Sequence, residues 1–316
     1  MKKWMLLLVA MMLIVNCAFA ENATYPEDTK YITYEDAVEG HETHYRMYNS
    51  KFFEAACDQP GTIVSLTYNT EVYGGTYEKV MNIYLPYGYD GSEDTMYDII
   101  YFYHGTNETP DSFIGDKRVK NALDNMIATG IAKPFIMVCP TYYYDYSKRA
   151  FDLDLFQDEM LKEIMPLVES TYHTYAVTAD EEGFAASRKH RAFSGYSNGC
   201  RMCWFSFIHL FDYAYWYMPF SNTVGLPAIL RTVQEHHAAE QGFYVYCGVG
   251  GVRDDANNNV GAMVSSLLKS SDAFVYSDHP AEGTIFLTKS KEVHQTMIGR
   301  YYLYNAFRDG LFQLGE

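Results

Sequence analysis

The chain has 316 residues, enough for one large α/β domain or two small ones, and a formal net charge of −16 at neutral pH. An acidic surface repels phosphate backbones and anionic headgroups, so this charge argues against nucleic acid and anionic membranes as partners. It suits a soluble enzyme that acts on a neutral or weakly charged substrate.

The first 20 residues have the pattern of a secretory signal peptide. Two lysines precede an apolar run, and the Ala-Phe-Ala at positions 18–20 is a small-x-small cleavage site. Because the run is too short to span a bilayer, we predict that residues 1–20 are removed. The chain is then secreted, to the periplasm or the medium, with no membrane attachment. A lipoprotein anchored at Cys17 is the alternative, although Asn16 fits a lipidation site poorly.

Residues 21–60 are polar, acidic and rich in tyrosine, with little apolar periodicity. We predict an N-terminal extension that lies over a main domain at residues 61–316. Within it, residues 34–39 and 48–57 are predicted to form short helical pieces.

Strand-like and helix-like segments alternate through residues 61–316. Residues 62–69 and 77–85 flank a glycine-containing turn, which predicts an antiparallel hairpin. Further strands are predicted at residues 97–103, 134–139, 191–194, 215–220, 242–247 and 283–287, and helices at 116–130, 152–172, 200–208, 227–241, 259–268 and 296–312. This alternation favours an α/β fold with a doubly wound, mostly parallel sheet behind an antiparallel N-terminal hairpin.

The candidate nucleophile is Ser197 in Gly195-Tyr196-Ser197-Asn198-Gly199, which fits the G-x-S-x-G nucleophile elbow. A serine at a sharp strand-to-helix turn adopts a strained backbone, so that its Oγ projects clear of the sheet. The following helix points its N-terminus at the serine, where positive partial charge favours an oxyanion. An ordinary strand–turn–helix crossing is the alternative.

A base and an acid are expected downstream, because the chain order on this architecture is serine, acid, histidine. His279 and His294 lie far enough along the chain, and His294 is favoured because it follows the last predicted strand. The acid should follow the penultimate strand, where Asp254 and Asp255 are adjacent. We favour Asp254, which would hold the imidazole tautomer and stabilise the imidazolium.

Two backbone N–H groups are predicted to form the oxyanion hole. His104-Gly105 ends the strand two elements before the elbow, so the N–H of Thr106 can act with that of Asn198. His104 itself is expected to be a structural hydrogen-bonding residue.

Three consecutive tyrosines, Tyr142, Tyr143 and Tyr144, follow the strand at residues 134–139. Aromatic rings at the carboxyl edge of the sheet can stack on a planar ligand. We predict that this segment binds an aromatic acyl group or a sugar.

The cysteines do not indicate a disulfide scaffold. Five of the six remain after signal removal, and an odd number leaves at least one free thiol. The Cys200-x-x-Cys203 pair could suggest redox chemistry, but one-turn spacing on a buried helix favours core packing.

At these points the sequence resembles carbohydrate esterase family 1, the feruloyl and acetylxylan esterases and esterase D-like proteins of the α/β-hydrolase superfamily. The resemblance runs from about Tyr84 to the C-terminus and rests on Tyr84–Asp90, Tyr103–Gly105, His190–Ser197 and Tyr217–Ser221. It implies an α/β-hydrolase fold with Ser197 as nucleophile, His294 as base and Asp254 as acid. Substrates would be acetyl or feruloyl esters on plant cell-wall xylan or acylated sugars, and no metal or organic cofactor is expected.

The sequence also departs from the family pattern. Asn198 stands where the family usually has methionine, and Thr106-Asn107-Glu108 replaces its glycine-rich oxyanion loop. Thr296 occupies the tryptophan position of the family's Gly-x-His-x-Trp, and residues 222–224 lack the usual Gly-Asp-aromatic sequence. Ester hydrolysis is therefore a firmer prediction than any particular acyl group. The alternatives are a short-chain acyl esterase or deacetylase of the same fold and a non-catalytic carbohydrate-binding relative.

Overall fold

A computed structural model describes residues 30–47, 50–91, 95–251, 254 and 259–314. The predicted signal peptide and Asp255, the alternative acid, lie outside these residues.

Ten strands of the described chain form one mixed sheet, in the order β1-β2-β10-β9-β8-β7-β5-β6-β4-β3. The strands are β1 (Lys30–Val38), β2 (His41–Met47), β3 (Thr62–Thr70), β4 (Tyr77–Leu85), β5 (Asp98–Tyr103), β6 (Phe135–Cys139), β7 (Arg191–Tyr196), β8 (Trp216–Phe220), β9 (Tyr244–Val249) and β10 (Ile285–Lys289). From β10 to β6 all neighbours pair in parallel, whereas β3–β4 and β1–β2 are antiparallel hairpins at the two edges. The mostly parallel sheet and the hairpin at residues 62–85 are therefore confirmed.

Helices cover both faces of this sheet, because its central strands are apolar on both faces. Along β5, Ile99 and Tyr101 belong to one core, whereas Ile100 and Phe102 belong to the other. The α-helices are Ser50–Glu54, Asp111–Ile114, Lys117–Ala128, Leu153–Glu159, Met165–Thr171, Glu181–Ala186, Asn198–His209, Leu226–Glu235, Ala238–Gln241, Val260–Ser270 and Gly299–Arg308. A π-helical turn, Met160–Ile164, joins two of them, and short 3₁₀ turns form at Arg188–His190, Phe211–Tyr213 and Thr296–Ile298.

The start of the described chain differs from the expectation for residues 34–39. These residues were predicted to be helical, but β1 extends through Val38 and pairs with β2. The physical reason is the alternation of the partly buried Ile32 and Tyr34 with the exposed Thr33 and Glu35, a period of two that suits a strand. Through the pairing of His44 with Thr288, β2 adds this hairpin to the edge of the main sheet.

No helix in the described ranges combines the length and the apolar character needed to cross a bilayer.

The parallel strands all end at the same edge of the sheet. The loops after β5, β7, β8, β9 and β10 therefore meet there, which is where ligands bind in open α/β sheets. This edge carries the candidate residues described next.

Candidate active site

Ser197 occupies the sharp turn between β7 and the helix Asn198–His209. Its backbone has φ 58° and ψ −114°, a strained conformation for a residue with a side chain. A Cβ at Gly195 would collide with the carbonyl of Gly199, and a Cβ at Gly199 would collide with the carbonyl of Tyr103. Both glycines are therefore required for strand and helix to approach this closely.

Asp254 and His294 form a hydrogen-bonded pair after β9 and β10. His294 Nδ1 lies 2.6 Å from Asp254 Oδ1. Since a carboxylate can only accept, Nδ1 is the donor in this contact. The pair thus leaves Nε2 as the ring nitrogen that is available for proton transfer.

The Asp254 carboxylate is 1% exposed. Its second oxygen, Oδ2, accepts hydrogen bonds from Ser221 Oγ at 2.6 Å and from the Gly250 N–H at 2.7 Å. Burial raises the pKa of this carboxyl, but the hydrogen bonds from His294, Ser221 and Gly250 outweigh burial and hold the pKa below its usual value. Asp254 therefore stays ionised beside the imidazole.

Ser221 was not assigned a role from the sequence. It is fully buried at the end of β8 with φ 61°, a left-handed conformation that is uncommon for serine. The available signal was its place in Tyr217–Ser221, one of the segments that resemble the esterase family. The structure shows that its hydroxyl supports the carboxylate.

His294 lies next to the nucleophile elbow. Its ring centroid is 4.9 Å from that of Tyr196, and the Gln295 N–H donates to the Tyr196 hydroxyl at 3.1 Å. Within the described ranges Ser197 Oγ shares no hydrogen bond with His294. Such contacts are often long in unliganded enzymes and tighten when substrate binds.

His279, the alternative base, lies apart from Asp254. Its side chain is exposed, and its Nε2 is 3.9 Å from Asp278 Oδ1. The structure therefore pairs the favoured histidine, and not the alternative, with Asp254.

The predicted oxyanion loop is a tight turn at Gly105–Glu108. The Glu108 N–H donates to the Gly105 carbonyl at 3.3 Å, and Asn107 has φ 65°. No acceptor for the Thr106 N–H is found among the described residues. Asn198 begins its helix, so its N–H has no intrahelical acceptor. Two donors are thus left available near the elbow.

His104 is buried and uses both ring nitrogens for structure. Nδ1 lies 2.8 Å from the Gly105 carbonyl, so it must donate, and Nε2 accepts from Thr141 Oγ1 at 2.9 Å. Burial lowers the pKa of His104 to about 4, although the hydrogen bond to Gly105 opposes this shift. The neutral ring therefore holds the predicted oxyanion loop in place by bonding Gly105 and Thr141.

The three tyrosines have different environments. Tyr142 and Tyr143 are buried, and their hydroxyls bond the loop: Tyr142 donates to the Gly105 carbonyl at 2.9 Å, and Tyr143 accepts the Asn107 N–H at 3.1 Å. Tyr144 is partly exposed and stacks on Tyr73 with 4.5 Å between centroids. Tyr142 thus contacts the loop rather than solvent.

An open cleft of about 370 Å³ lies beside these tyrosines, at the same edge of the sheet. Tyr143, Tyr144 and Tyr146 form its aromatic side, and residues 109–111, which follow the oxyanion loop, form another. Ser197, Asp254 and His294 do not line it. The cleft is therefore separate from the candidate triad and adjoins the predicted oxyanion loop, to which Tyr143 is hydrogen-bonded.

The Cys200 and Cys203 thiols are buried in the helix that follows Ser197. Each Sγ donates to a backbone carbonyl, that of Asn222 and that of Phe193, at 3.2 Å. All five cysteines after Cys17 are free thiols. The pair packs the core.

One cluster among the described residues has the spacing of metal ligands: His44, Asp278 and Asp309. His44 is on β2, Asp278 lies in the segment before β10, and Asp309 follows the helix Gly299–Arg308. The Arg46 guanidinium already pairs with Asp309. None of the candidate triad belongs to it.

Comparison with known proteins identifies esterases. No protein-family model matches the chain. The endo-1,4-β-xylanase Y of Acetivibrio thermocellus is 30% identical over 260 residues, which are 79% of this chain and 23% of that protein. The chain thus spans less than a quarter of the length of this curated relative.

The solved structures that resemble this chain are esterases. A serine-to-alanine mutant of the feruloyl esterase module from Clostridium thermocellum, complexed with sinapinate, superposes with a TM-score of 0.75 and 28% identity, covering 86% of this chain and 95% of that one. The ferulic acid esterase of carbohydrate esterase family 1 from the fungus Anaeromyces mucronatus has a TM-score of 0.56 and 18% identity, covering 85% and 98%. The fold is therefore that of the α/β-hydrolases, as predicted.

Proposed function

Because the chain belongs to carbohydrate esterase family 1, we propose that it hydrolyses ester bonds on plant cell-wall xylan, with Ser197 as nucleophile, His294 as base and Asp254 as acid. The observation that carries this proposal is the Asp254–His294 pair at 2.6 Å beside the strained elbow of Ser197. An imidazole oriented by a buried carboxylate is the arrangement that activates a serine.

The proposed reaction proceeds through an acyl-enzyme. Ser197 Oγ attacks the ester carbonyl while His294 Nε2 accepts its proton, and Asp254 stabilises the imidazolium. The N–H groups of Thr106 and Asn198 donate to the tetrahedral oxygen. Collapse expels the sugar alcohol, which takes the proton from His294. Water, deprotonated by His294, then releases the acid and restores Ser197.

We propose that the aromatic cleft receives the planar part of the substrate. Tyr143 and Tyr144 line it and would contact an aromatic acyl group or a sugar. The similar module from Clostridium thermocellum was crystallised with sinapinate, an aromatic acid. Tyr142, being buried, would act indirectly by holding Gly105.

A short-chain acyl esterase or deacetylase is the second candidate. It is favoured by Thr296, which stands where the family has tryptophan and so removes planar surface beside His294. A non-catalytic sugar-binding protein is less consistent with the Asp254–His294 pair.

Secretion belongs to the same proposal. The pattern of residues 1–20 indicates export, and substrates on a plant cell wall lie outside the cell that makes the enzyme. We place the catalytic domain at residues 61–316, with residues 21–60 as an extension that contributes β1 and β2 to its sheet.

The proposal is tested by turnover of methyl ferulate and p-nitrophenyl acetate. We expect Ser197→Ala to lose activity on the order of a millionfold while its melting temperature stays that of the wild type. Hydrolysis of methyl ferulate well above that of the acetyl ester supports the aromatic substrate, and the reverse supports the short-chain esterase. Near wild-type turnover in Ser197→Ala, or an inactive wild type, would refute the proposal.

A further inference from the structure

Glu108 joins the oxyanion loop to the loop that carries His294. Its Oε2 accepts the Gly105 N–H at 2.6 Å. The Thr296 hydroxyl lies 2.6 Å from Oε1 and 2.7 Å from Oε2 of the same carboxylate. One side chain therefore binds two loops that are 188 residues apart in sequence.

In the predicted oxyanion loop, Glu108 makes two hydrogen bonds with Gly105. Its N–H donates to the Gly105 carbonyl, and its carboxylate accepts the Gly105 N–H. Thr106 lies between these two contacts, so the direction of its N–H depends on them. A Cβ at Gly105 would lie 2.9 Å from Glu108 Oε2 and 3.1 Å from Thr296 Oγ1, so a side chain there would displace these two groups.

On the side of the base, Thr296 follows His294 by two residues. The residue between them, Gln295, donates its N–H to the Tyr196 hydroxyl. Besides the bond from His294 to Asp254, the His294 loop is thus attached to the residue before Ser197 and to Glu108.

Both partners are departures from the family pattern. Glu108 belongs to the segment that replaces the family's glycine-rich loop, and Thr296 replaces its tryptophan. The hydrogen bond between Thr296 and Glu108 joins the two departures in one contact.

We propose that Glu108 is a positioning residue that, through Thr296, sets the separation between the proton acceptor His294 and the oxyanion donor Thr106. This inference rests on the proposed ester hydrolysis. The separation matters only when the tetrahedral oxygen and the imidazolium form together, so Glu108 affects kcat and leaves KM nearly unchanged.

The test compares two pairs of variants on p-nitrophenyl acetate. Thr296→Val removes the hydroxyl at nearly constant volume, whereas Thr296→Ser keeps it. Glu108→Gln weakens the hydrogen bonds of residue 108 with Gly105 and Thr296. Glu282→Gln is the control, because it neutralises an exposed carboxylate elsewhere. We expect kcat to fall about 10- to 100-fold in Thr296→Val and Glu108→Gln, less than or equal to the loss of a whole oxyanion donor. Thr296→Ser and Glu282→Gln should match the wild type.

Two further measurements separate a positioning role from a merely structural one. The double variant Glu108→Gln/Thr296→Val should be no slower than the slower single variant, because each substitution disrupts the same hydrogen bond between Thr296 and Glu108. Amide hydrogen exchange of Gly105 should accelerate in Glu108→Gln, and this readout needs no turnover.

The inference and the proposed function fail differently. If the wild type is active, Ser197→Ala is inactive, and both Thr296→Val and Glu108→Gln keep the wild-type kcat, the inference is overturned and the proposed function stands. A rise in KM alone would also overturn it. An inactive wild type overturns both.

Discussion

The two ends of β7 differ in whether their hydrogen-bond donors have acceptors. At its amino end the Arg191 guanidinium is 1% exposed, and its five N–H groups all have acceptors. Nε and Nη2 donate to the Glu169 carboxylate at 2.7 Å, and the other donors bond Ser187 Oγ and the carbonyls of Phe184 and Tyr213.

At the carboxyl end, six residues later, the chain is strained and its donors are spare. Ser197 has φ 58°, and the N–H groups of Thr106 and Asn198 have no acceptors in the described part of the chain. A buried charge that lacks partners is costly, so the amino end is fully paired. Unpaired donors are instead what the proposed oxyanion hole needs, because they could bind negative charge that develops during a reaction.

This contrast predicts which property of the protein a substitution should change. Breaking contacts at the amino end should reduce stability and leave the reaction of the folded protein intact. Breaking contacts at the carboxyl end should reduce the reaction and leave the fold intact. The predictions below test this division, from the largest expected effect to the smallest.

After Ser197→Ala, the largest effect is expected for Asp254→Asn. An asparagine cannot hold the productive imidazole tautomer, so kcat should fall on the order of ten-thousandfold. The neighbouring Asp255→Asn is the matched control and should lose little. Steady-state kinetics on methyl ferulate checks both, and the reverse ranking would place the acid at residue 255.

At the other end of β7, Arg191→Met leaves the Glu169 carboxylate buried without its cation. We expect the free energy of unfolding to fall by about 3–5 kcal/mol, with kcat per folded molecule unchanged. Urea denaturation and active-site titration measure the two quantities. Adding Glu169→Gln should restore part of the stability because it removes the unpaired charge. A loss of kcat without a loss of stability would break the comparison.

His104 is the exception that sharpens the division, because it lies at the carboxyl edge but is fully paired. Its pKa is lowered to about 4 by burial, whereas the unfolded chain takes up the proton near pH 6.5. Between these values the unfolded state binds more protons, so stability falls as the pH falls.

The expected loss from His104 is about 3 kcal/mol between pH 6.5 and 4. The buried His44, whose pKa burial and Arg46 also lower to about 4, contributes with the same sign. In His104→Gln, the free energy of unfolding should therefore depend less steeply on pH across this range. Some dependence should remain because His44 still contributes. An unchanged slope would show that the pKa of His104 is the same in the folded and the unfolded protein.

The smallest effect is expected at the cleft. Tyr144→Ala should raise KM for methyl ferulate about fivefold, since one aromatic stack is worth about 1 kcal/mol. An acetyl ester has no ring and should be affected less. The exposed Tyr87→Ala serves as the control. Equal effects on both esters would indicate that Tyr144 only packs against Tyr73.

The strands and the elbow could be predicted because their signals are local. Apolar runs indicate β5 to β10, and Gly195 and Gly199 mark a turn that no side chain would permit. Ser221 and Glu108 could not be predicted, since their partners are set by folding. Ser221 bonds a carboxylate 33 residues away, and Glu108 bonds a hydroxyl 188 residues away. The triad roles stay predictions until turnover is measured.

The N-terminal hairpin has a consequence for the order of assembly. β2 joins the sheet through β10, and the Thr288 hydroxyl donates to the His44 carbonyl across 244 residues of sequence. On a ribosome the first strand pair is therefore made long before the strand that receives it. The sheet cannot be completed until β10 has been synthesised. Pairing of β2 with β10 is then slow, because it closes a long loop of chain. Such a delay would suit the export that we propose, because a chain crosses a membrane channel before it folds.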